Sequence, residues 1–285
     1  MKKILVTGSN GQLGQCFRKY SSQYPEFEFL FCSSKELDIT KEEVVRSYFE
    51  KQQIDICINT AAYTNVEQAE NEKEKAFLVN AEAAGILAGT CKEYRTELVH
   101  ISTDYVFDGR SKSSYSETDE VNPINVYGAS KLKGEENIQK TLDKYFIFRT
   151  SWLYSEFGHN FFNTIRKKAK ENAELNITTS QLGTPTNAND LAKYVLKLLK
   201  NGSKAYGLYH FSNLGEATWF DFAQEIILGI GKIDDVNLKK TGFYKTLAVR
   251  PENSVLSKEK VQNHFGPVPE WKESLNKLIT ELDKA

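Results

Sequence analysis

A glycine-rich turn near the start of the chain constrains the fold most strongly. Residues 7–14 read Thr-Gly-Ser-Asn-Gly-Gln-Leu-Gly, directly after the apolar run Ile4–Thr7 and directly before a helical pattern. Gly8, Gly11 and Gly14 permit a tight turn, close approach of the backbone to a diphosphate, and close packing of the helix on the strand. The free amides of that helix would attract phosphate groups. An ordinary glycine-rich turn is the alternative, but its place in an N-terminal βαβ pattern predicts a dinucleotide site.

The first half of the chain alternates between segments typical of strands and segments typical of helices. The predicted strands are Ile4–Thr7, Glu28–Cys32, Ile54–Asn59, Leu98–Ser102 and Tyr145–Thr150, and the predicted helices are Lys41–Gln53, Lys73–Tyr94 and Gly128–Lys140. Short strands that are apolar on both faces and alternate with helices indicate a parallel sheet covered on both sides. With right-handed crossovers, this pattern predicts an α/β fold with a Rossmann-type doubly wound sheet.

The second half is less regular. Its predicted helices are Asn160–Glu171, Ala188–Asn201, Thr218–Gly229 and Trp271–Lys284, and its predicted strands, which could return to the main sheet, are Glu174–Ile177 and Gly207–Phe211. A chain of 285 residues is long enough for two lobes. We expect residues 1–150 to form an NAD(P)-binding Rossmann domain. Residues 151–285 are expected to form mainly a smaller substrate-binding lobe, with some segments returning to the Rossmann sheet.

Composition narrows the range of partners. The 37 basic and 38 acidic residues nearly cancel, so neither nucleic acid nor an anionic membrane surface is an expected partner. No apolar run approaches the ~18 residues of a membrane-spanning helix. The four cysteines form no Cys-x-x-Cys pair, and we interpret them as buried apolar residues in a reducing compartment. These features together predict a cytoplasmic protein.

The end of the second strand bears on the choice of cofactor. In NAD-binding proteins this strand normally ends in an acid that binds the adenosine ribose. Here no carboxylate occurs until Glu36, and Ser33, Ser34 or Lys35 could bind a 2′-phosphate instead. The sequence therefore predicts NADPH as the cofactor, with NADH also accepted, unless this stretch is only a solvated loop. The next residues, Asp38-Ile39, could flank the adenine.

A tyrosine and a lysine four residues apart suggest acid–base chemistry. On a helix, Tyr127 and Lys131 lie on one face, one turn apart. A nearby ammonium would stabilise the phenolate and bring the pKa of the tyrosine down towards neutrality, so that the phenol can protonate a ketone. Thr103, at the end of the fourth strand, could polarise the same ketone oxygen, although it could instead only cap that strand. The Tyr-x-x-x-Lys spacing alone would fit an ordinary surface helix.

With these elements in order, the chain resembles the extended short-chain dehydrogenases/reductases, and more narrowly the dTDP-4-dehydrorhamnose reductases. The resemblance runs from Gly8 almost to the C-terminus. Besides the glycine turn, it depends on the segments Asn59–Val66, Ser102–Phe107, Asn125–Gly128, Phe148–Trp152, Gly183–Thr186 and Arg250–Ser254.

The resemblance implies reduction of the C4 ketone of dTDP-4-dehydro-β-L-rhamnose to dTDP-β-L-rhamnose, the last step of dTDP-L-rhamnose biosynthesis. Tyr127 would protonate the C4 oxygen. The resemblance also implies cofactor contacts at Gly11, Gln12, Leu13, Asp38, Ile39, Ala62, Tyr63, Thr64, Tyr127 and Lys131. Substrate contacts are implied at Thr103, Asp104 and Trp152, and Arg250 would pair with the substrate diphosphate. Trp152 could also be a core residue, and Arg250 could form a surface salt bridge.

Some members of the family dimerise through a metal held by carboxylates on the first helix and near the Gly-x-Pro-Thr segment. Cys16 and Asn189, beside Asp190, stand at those positions here, and the histidines show no metal-ligand spacing. We therefore expect no metal site, and either a monomer or a homodimer.

Three other functions share this fold. A sugar 4,6-dehydratase usually has an acid directly after Thr-Asp, whereas this chain has Tyr105. Another nucleotide-sugar 4-ketoreductase is possible because the pocket shape sets the stereochemistry. A non-catalytic NADP-binding regulatory subunit would need neither Tyr127 nor Lys131.

Overall fold

The computed structural model describes residues 1–171, 174–242 and 246–284. The strands are β1 Lys2–Thr7, β2 Phe27–Cys32, β3 Ile56–Asn59, β4 Glu97–Thr103, β5 Tyr145–Thr150, β6 Leu153–Tyr154, β7 Leu175–Thr178, β8 Leu182–Gly183, β9 Thr186–Asn187, β10 Gly207–His210, β11 Ala217–Thr218 and β12 Leu238–Thr241. The α-helices are α1 Gln12–Ser21, α2 Glu42–Gln52, α3 Val66–Ala69, α4 Lys73–Phe77, α5 Ala83–Glu93, α6 Val126–Thr141, α7 Phe161–Lys170, α8 Ala188–Lys200, α9 Trp219–Gly229, α10 Glu259–Phe265 and α11 Trp271–Asp283.

Six strands form the main sheet in the order β10-β5-β4-β3-β1-β2, and every neighbouring pair is parallel. The predicted doubly wound parallel sheet is confirmed. The strand order reverses between β1 and β3, and ligands of open α/β sheets bind at that reversal, beyond the carboxyl ends of the strands.

Each face of the sheet carries its own core layer. Successive side chains of a strand point to opposite faces. Ile4 and Val6 therefore pack with α1 and α8, whereas Leu5 packs with α2 and α5. Both layers are built from the same strands, so the strands read as continuous apolar runs.

One predicted helix is interrupted. The segment predicted as a single helix over Lys73–Tyr94 begins and ends close to the expected places, but it consists of α4, a π-helical turn at Leu78–Glu82, and α5. The π turn packs against α6. It therefore lies behind the helix that carries the Tyr-x-x-x-Lys pair.

The second half contributes to both parts of the molecule. β10 joins the main sheet beside β5, and α8 packs on α1. The strand predicted over Glu174–Ile177 forms as β7, but it pairs with β12 outside the main sheet. A third core cluster, made largely by α7, α9 and α11, lies behind the C-terminal side of the cavity described below.

Within the described ranges, no helix is long and apolar enough to cross a membrane.

Candidate active site

A cavity of about 420 Å³ lies at the carboxyl ends of the main-sheet strands. Ten of the residues predicted from the sequence line it: Gln12, Leu13, Ala62, Thr64, Thr103, Asp104, Tyr127, Lys131, Trp152 and Arg250. The other seven do not line it: Gly8, Gly11, Gly14, Ser33, Asp38, Ile39 and Tyr63. The cavity thus brings the end of the glycine turn together with the predicted acid–base groups.

The glycine turn forms one wall of the site. Gly8 has a φ of 65°, and a Cβ there would lie 2.6 Å from the backbone nitrogen of Ala61. Gly11 donates its amide to the Gly8 carbonyl at 2.9 Å and begins α1 without a side-chain cap. Because no acid stands in the first turn of α1, its free amides present an uncompensated positive end. The residues present fit a dinucleotide diphosphate.

The segment after β3 forms the neighbouring wall. Asn80, from the π turn, holds it in place by accepting from the Tyr63 amide at 2.8 Å and donating to the Tyr63 carbonyl at 3.0 Å. The Tyr63 phenol itself turns away to Glu72 at 3.1 Å. Ala62 and Thr64, on either side, therefore face the cavity.

The residues predicted to surround the adenosine lie outside the cavity. Ser33 follows β2, and its amide donates to the Glu36 carboxylate at 2.7 Å. Asp38 accepts from both the amide and the hydroxyl of Thr40, and Ile39 is buried in the second core layer. Their contacts with a cofactor stay predictions.

Tyr127 stands in the first turn of α6. Asn125 caps this helix by accepting from the Gly128 amide at 2.7 Å, and its amide group also donates to the Val249 carbonyl at 2.9 Å. The Tyr127 ring packs edge-on against Tyr105. Burial raises the pKa of Tyr127 above its usual value, and the Thr103 hydroxyl opposes this shift. The Tyr-x-x-x-Lys spacing predicted a lowered pKa for Tyr127, so the direction is opposite to that prediction.

Asp104 and Tyr105 add to the upward shift of the pKa of Tyr127, whereas Lys131 is itself buried, at only 2% exposed. Its amine donates to the Ile101 carbonyl at 2.5 Å and lies 3.4 Å from Nε2 of His100. Burial lowers the pKa of Lys131 to about 8, against the opposing effect of Glu135. The amine is therefore directed to β4 as well as to the cavity.

Thr103 and Asp104 end β4 beside these groups. The Thr103 hydroxyl donates to Oδ1 of Asp104 at 2.9 Å. Oδ2 of Asp104 is buried and has no hydrogen-bond partner among the described residues. Burial raises the pKa of this carboxyl to about 6, with the hydroxyls of Ser254 and Thr103 opposing the shift.

Two tryptophans close the far side of the cavity. The rings of Trp152 and Trp219 stack with centroids 3.7 Å apart and planes 8° apart. Trp152 has a φ of 44°, which is uncommon for a bulky residue. One indole face of Trp152 is thus occupied by Trp219, and the pair as a whole lines the cavity.

Arg250 enters the cavity from the C-terminal part of the chain. Its guanidinium donates to Oε1 of Glu67 at 2.7 Å, so the predicted alternative of a salt bridge is also present. Its Nε is buried without a hydrogen-bond partner in the part of the chain that the structure describes. The second carboxylate oxygen of Glu67 accepts from the Leu247 amide at 2.7 Å. Glu67 therefore fixes the segment that presents Arg250.

Twelve further residues line the cavity without having been predicted: Thr60, Val66, Ile101, Ser102, Tyr105, Thr150, Ser151, Leu153, His159, Asn160, Phe161 and Trp219. Thr150 ends a predicted strand and Ser151 follows it, so their polarity at a carboxyl end was a usable signal. The residues from His159 onward reach the cavity through long-range packing. Asn160, for example, donates to Oε1 of Gln12 at 2.6 Å, across 148 positions in the sequence.

The positions that correspond to the family's metal ligands lie on α1 and at the start of α8, which pack against each other. Cys16 is buried near Glu156, whose carboxylate accepts from the Asn189 amide at 2.8 Å and from Lys19 at 2.7 Å. Among the described residues, no group of three or more His, Cys, Asp or Glu side chains could hold a metal ion.

The parallel sheet, the glycine turn and the Tyr/Lys pair on α6 define an extended short-chain dehydrogenase/reductase. Residues 1–284 match the family model described as the RmlD substrate binding domain. The dTDP-4-dehydrorhamnose reductase of Aggregatibacter actinomycetemcomitans is 36% identical, covering 98% of each chain. This chain therefore belongs to the dTDP-4-dehydrorhamnose reductase family.

Two further relatives agree with that placement. The spore coat polysaccharide biosynthesis protein SpsK of Bacillus subtilis (strain 168) is 37% identical, covering 100% of this chain and 99% of its own. The crystal structure of the dTDP-4-dehydrorhamnose reductase of Bacillus anthracis str. Ames, in complex with NADP, is 36% identical. It superposes with a TM-score of 0.94 over 99% of this chain and 100% of that chain.

Proposed function

We propose that this protein reduces the C4 ketone of dTDP-4-dehydro-β-L-rhamnose to dTDP-β-L-rhamnose with NADPH, and that it also accepts NADH. One observation carries the proposal. A single cavity holds Tyr127, Lys131 and Thr103 between the end of the glycine turn on one side and Trp152 and Arg250 on the other. Such a cavity can hold a nicotinamide next to a sugar that is linked to a diphosphate.

The protein residues supply the proton, the orientation and the exclusion of water. Bound NADPH supplies the hydride that reduces the carbonyl carbon. Tyr127 protonates the resulting oxygen, and its raised pKa suits this direction because it keeps the phenol protonated at neutral pH. The Thr103 hydroxyl can rotate from Asp104 to the ketone oxygen and polarise it. Lys131 holds the cofactor ribose.

Two unpartnered polar atoms support a polar substrate on the other side of the cavity. Oδ2 of Asp104 and Nε of Arg250 are both buried without hydrogen-bond partners among the described residues. Buried polar groups are normally hydrogen-bonded, so unpaired ones at a cavity are available to pair with a polar ligand. We assign Asp104 to a sugar hydroxyl and Arg250 to the diphosphate. The Trp152–Trp219 pair would pack against the sugar or the base.

The alternatives from the sequence receive less support. A 4,6-dehydratase needs an acid–base group where Tyr105 stands. Burial, together with the nearby Asp104 carboxylate, raises the pKa of Tyr105 to about 12, so this phenol is a poor proton carrier at neutral pH. A regulatory subunit would not need an intact Tyr127 that faces the cavity.

The proposal extends to the organisation of the chain. Residues 1–150 would bind the cofactor, and residues 151–285 would mainly bind the substrate. The protein would act as a monomer or as a homodimer without a metal bridge. The burial of Cys16 and the pairing of Glu156 with Lys19 and Asn189 support the absence of a bridge.

The first experiment is NADPH oxidation by the purified protein with freshly generated dTDP-4-dehydrorhamnose, with the product identified by mass and NMR. We expect stoichiometric oxidation and dTDP-L-rhamnose. Tyr127→Phe should lower kcat by at least about 100-fold with NADPH affinity retained, because general acid catalysis contributes about 10²–10⁴-fold.

The matched control is Tyr194→Phe, which removes a half-buried phenol that donates to the Val261 and Gly266 carbonyls outside the cavity. It should leave kcat near the wild-type value. Near-normal turnover by Tyr127→Phe would rule out the proton-donor role. A different product from the wild-type protein would indicate another nucleotide-sugar 4-ketoreductase.

A further inference from the structure

A buried chain of hydrogen bonds runs from β1 to Lys131. The Thr7 hydroxyl donates to Oδ1 of Asn59 at 2.7 Å, and the Ala61 amide donates to the same oxygen at 3.2 Å. A backbone amide can only donate, so the orientation of the Asn59 side chain is set. Its Nδ2 then faces Nδ1 of His100 at 3.0 Å, and Nδ1 must accept.

This series of hydrogen bonds determines which tautomer His100 adopts. Burial and the nearby Lys131 lower the pKa of His100 well below its usual value, so the ring is neutral. A neutral imidazole that accepts at Nδ1 carries its proton on Nε2. Nε2–H is the group that lies 3.4 Å from the Lys131 nitrogen. A protonated lysine there faces another donor, whereas a neutral amine accepts from it.

The second buried histidine shows the opposite arrangement. Nδ1 of His210 lies 3.1 Å from the Tyr115 carbonyl, to which it must donate. Its Nε2 therefore offers a lone pair to the Arg149 guanidinium at 3.5 Å. His210 thus presents a lone pair to a neighbouring cation, whereas His100 presents an N–H group, which disfavours one.

We propose that His100 is a positioning residue for Lys131: its Nε2–H, oriented through Thr7 and Asn59, favours the neutral amine and so sets the upper pH at which Lys131 keeps its proton. The proposal rests on the proposed function only for the task of Lys131, which is to hold the cofactor ribose as a cation. A hydrogen bond to the neutral form of a base lowers its proton affinity.

Burial lowers the pKa of Lys131 in the first place, and the other charged groups around the amine do not favour its neutral form. From its own helix, Glu135 favours protonation of Lys131, but that carboxylate is already paired with Arg149 at 2.7 Å and accepts from Ser102. Tyr127, one turn earlier on α6, is neutral. From β4, His100 is the titratable group that contacts the amine.

Two NMR measurements on the substrate-free protein test the proposal. In ¹⁵N-histidine spectra, His100 should show the Nε2–H tautomer from about pH 5 to about pH 9, and His210 should show the Nδ1–H tautomer. In ¹³Cε-lysine spectra, the Lys131 signal, assigned by its loss in Lys131→Arg, should titrate near the pKa of about 8.

Two variants of His100 then separate the N–H from simple packing. His100→Asn leaves an acceptor for Asn59, and His100→Phe fills the ring volume. Neither presents Nε2–H to Lys131, so both should raise the Lys131 midpoint by about 0.5–1 pH unit. His210→Asn, the matched control, should leave it unchanged. The pH above which NADPH affinity falls should move with the midpoint.

Several results would overturn the proposal. An Nδ1–H tautomer of His100 in the wild-type protein contradicts it directly, even if the variants fail to fold. A midpoint that moves in His100→Asn but not in His100→Phe would mean that water entry, rather than loss of the N–H, causes the shift. Because none of these measurements needs the sugar substrate, they remain decisive if the proposed reaction is wrong.

Discussion

Asp104 shows how a single side chain couples the cavity to the stability of the fold. It is 2% exposed, and its Oδ2 lacks a partner among the described residues. Burial raises its pKa to about 6, whereas an unfolded aspartate titrates near 3.9. A carboxyl with a raised pKa binds its proton more tightly in the native state. Its contribution to stability is therefore complete below about pH 4 and is lost as the pH rises through about 6.

The substitution Asp104→Asn removes this dependence because an amide carries no charge at either pH. The free energy of unfolding of the variant minus that of the wild-type protein should increase by about 2–3 kcal/mol from about pH 4 to about pH 8, because the wild-type protein loses the Asp104 contribution over that range. Urea unfolding at the two pH values measures the change. The exposed Asp143→Asn should show no such change. If the difference in unfolding free energy between Asp104→Asn and the wild-type protein were the same at both pH values, Asp104 would not have a raised pKa in the folded protein.

At the scale of elements, the main-sheet strands were predictable, whereas the short strands outside that sheet, except β7, and the π turn were not. The main-sheet strands are apolar on both faces, so they can be recognised from the sequence without knowing how the helices pack on them. The π turn at Leu78–Glu82 adds one residue to a helical turn without changing helix propensity, and the sequence carries no signal for it. Its effect is large nevertheless, because it lets Asn80 reach Tyr63 and also Ser130 on α6 at 2.9 Å.

The contact between the π turn and α6 leaves no room for a side chain at Gly134. A Cβ there would lie 2.2 Å from the Asn80 carbonyl oxygen. We expect Gly134→Ala to destabilise the protein by about 3 kcal/mol, because overpacking forces the backbone to shift. Thermal unfolding followed by circular dichroism provides the measurement. NADPH affinity should fall as well, since Asn80 holds the segment that contains Ala62 and Thr64.

Gly89→Ala in α5 is the control for helix propensity. A Cβ at Gly89 meets no atom within 4 Å, so this change should be neutral or stabilise the protein by up to about 1 kcal/mol. If the two alanine variants had equal stability, the close approach of the π turn to α6 would not exist in solution.

At the scale of the whole molecule, the candidate site divides into a predictable part and an unpredictable part. Tyr127, Thr103 and the glycine turn stand at strand ends or on a helix face, and local pattern places them. Trp219 and the Glu67–Arg250 pair, whose partners are 183 positions apart, depend on how the C-terminal segments fold back. The orientation of Lys131 depends on β4, so the residue could be predicted but the direction of its amine could not.

The two core layers share the strands of one sheet, and the four cysteines report on both. Cys16 lies in one layer, and Cys32, Cys57 and Cys91 lie in the other. All four thiols are buried. Burial raises the pKa of Cys16 to about 12, and it also raises those of Cys32 and Cys91. Since the thiolate is the reactive form, these thiols should react only when the core opens.

We therefore expect the folded protein to release almost no chromophore from Ellman's reagent at about pH 8, and all four thiols to react in denaturing guanidinium. Below the unfolding midpoint, all four should react with one rate constant, because neither layer can open without exposing strands that the other layer needs. The variant Cys16→Ala lacks the thiol of the layer formed with α1 and α8, so a reaction phase that is missing in this variant belongs to that layer. If the wild-type protein has a fast phase of one thiol that this variant lacks, α1 and α8 open separately from the rest of the molecule.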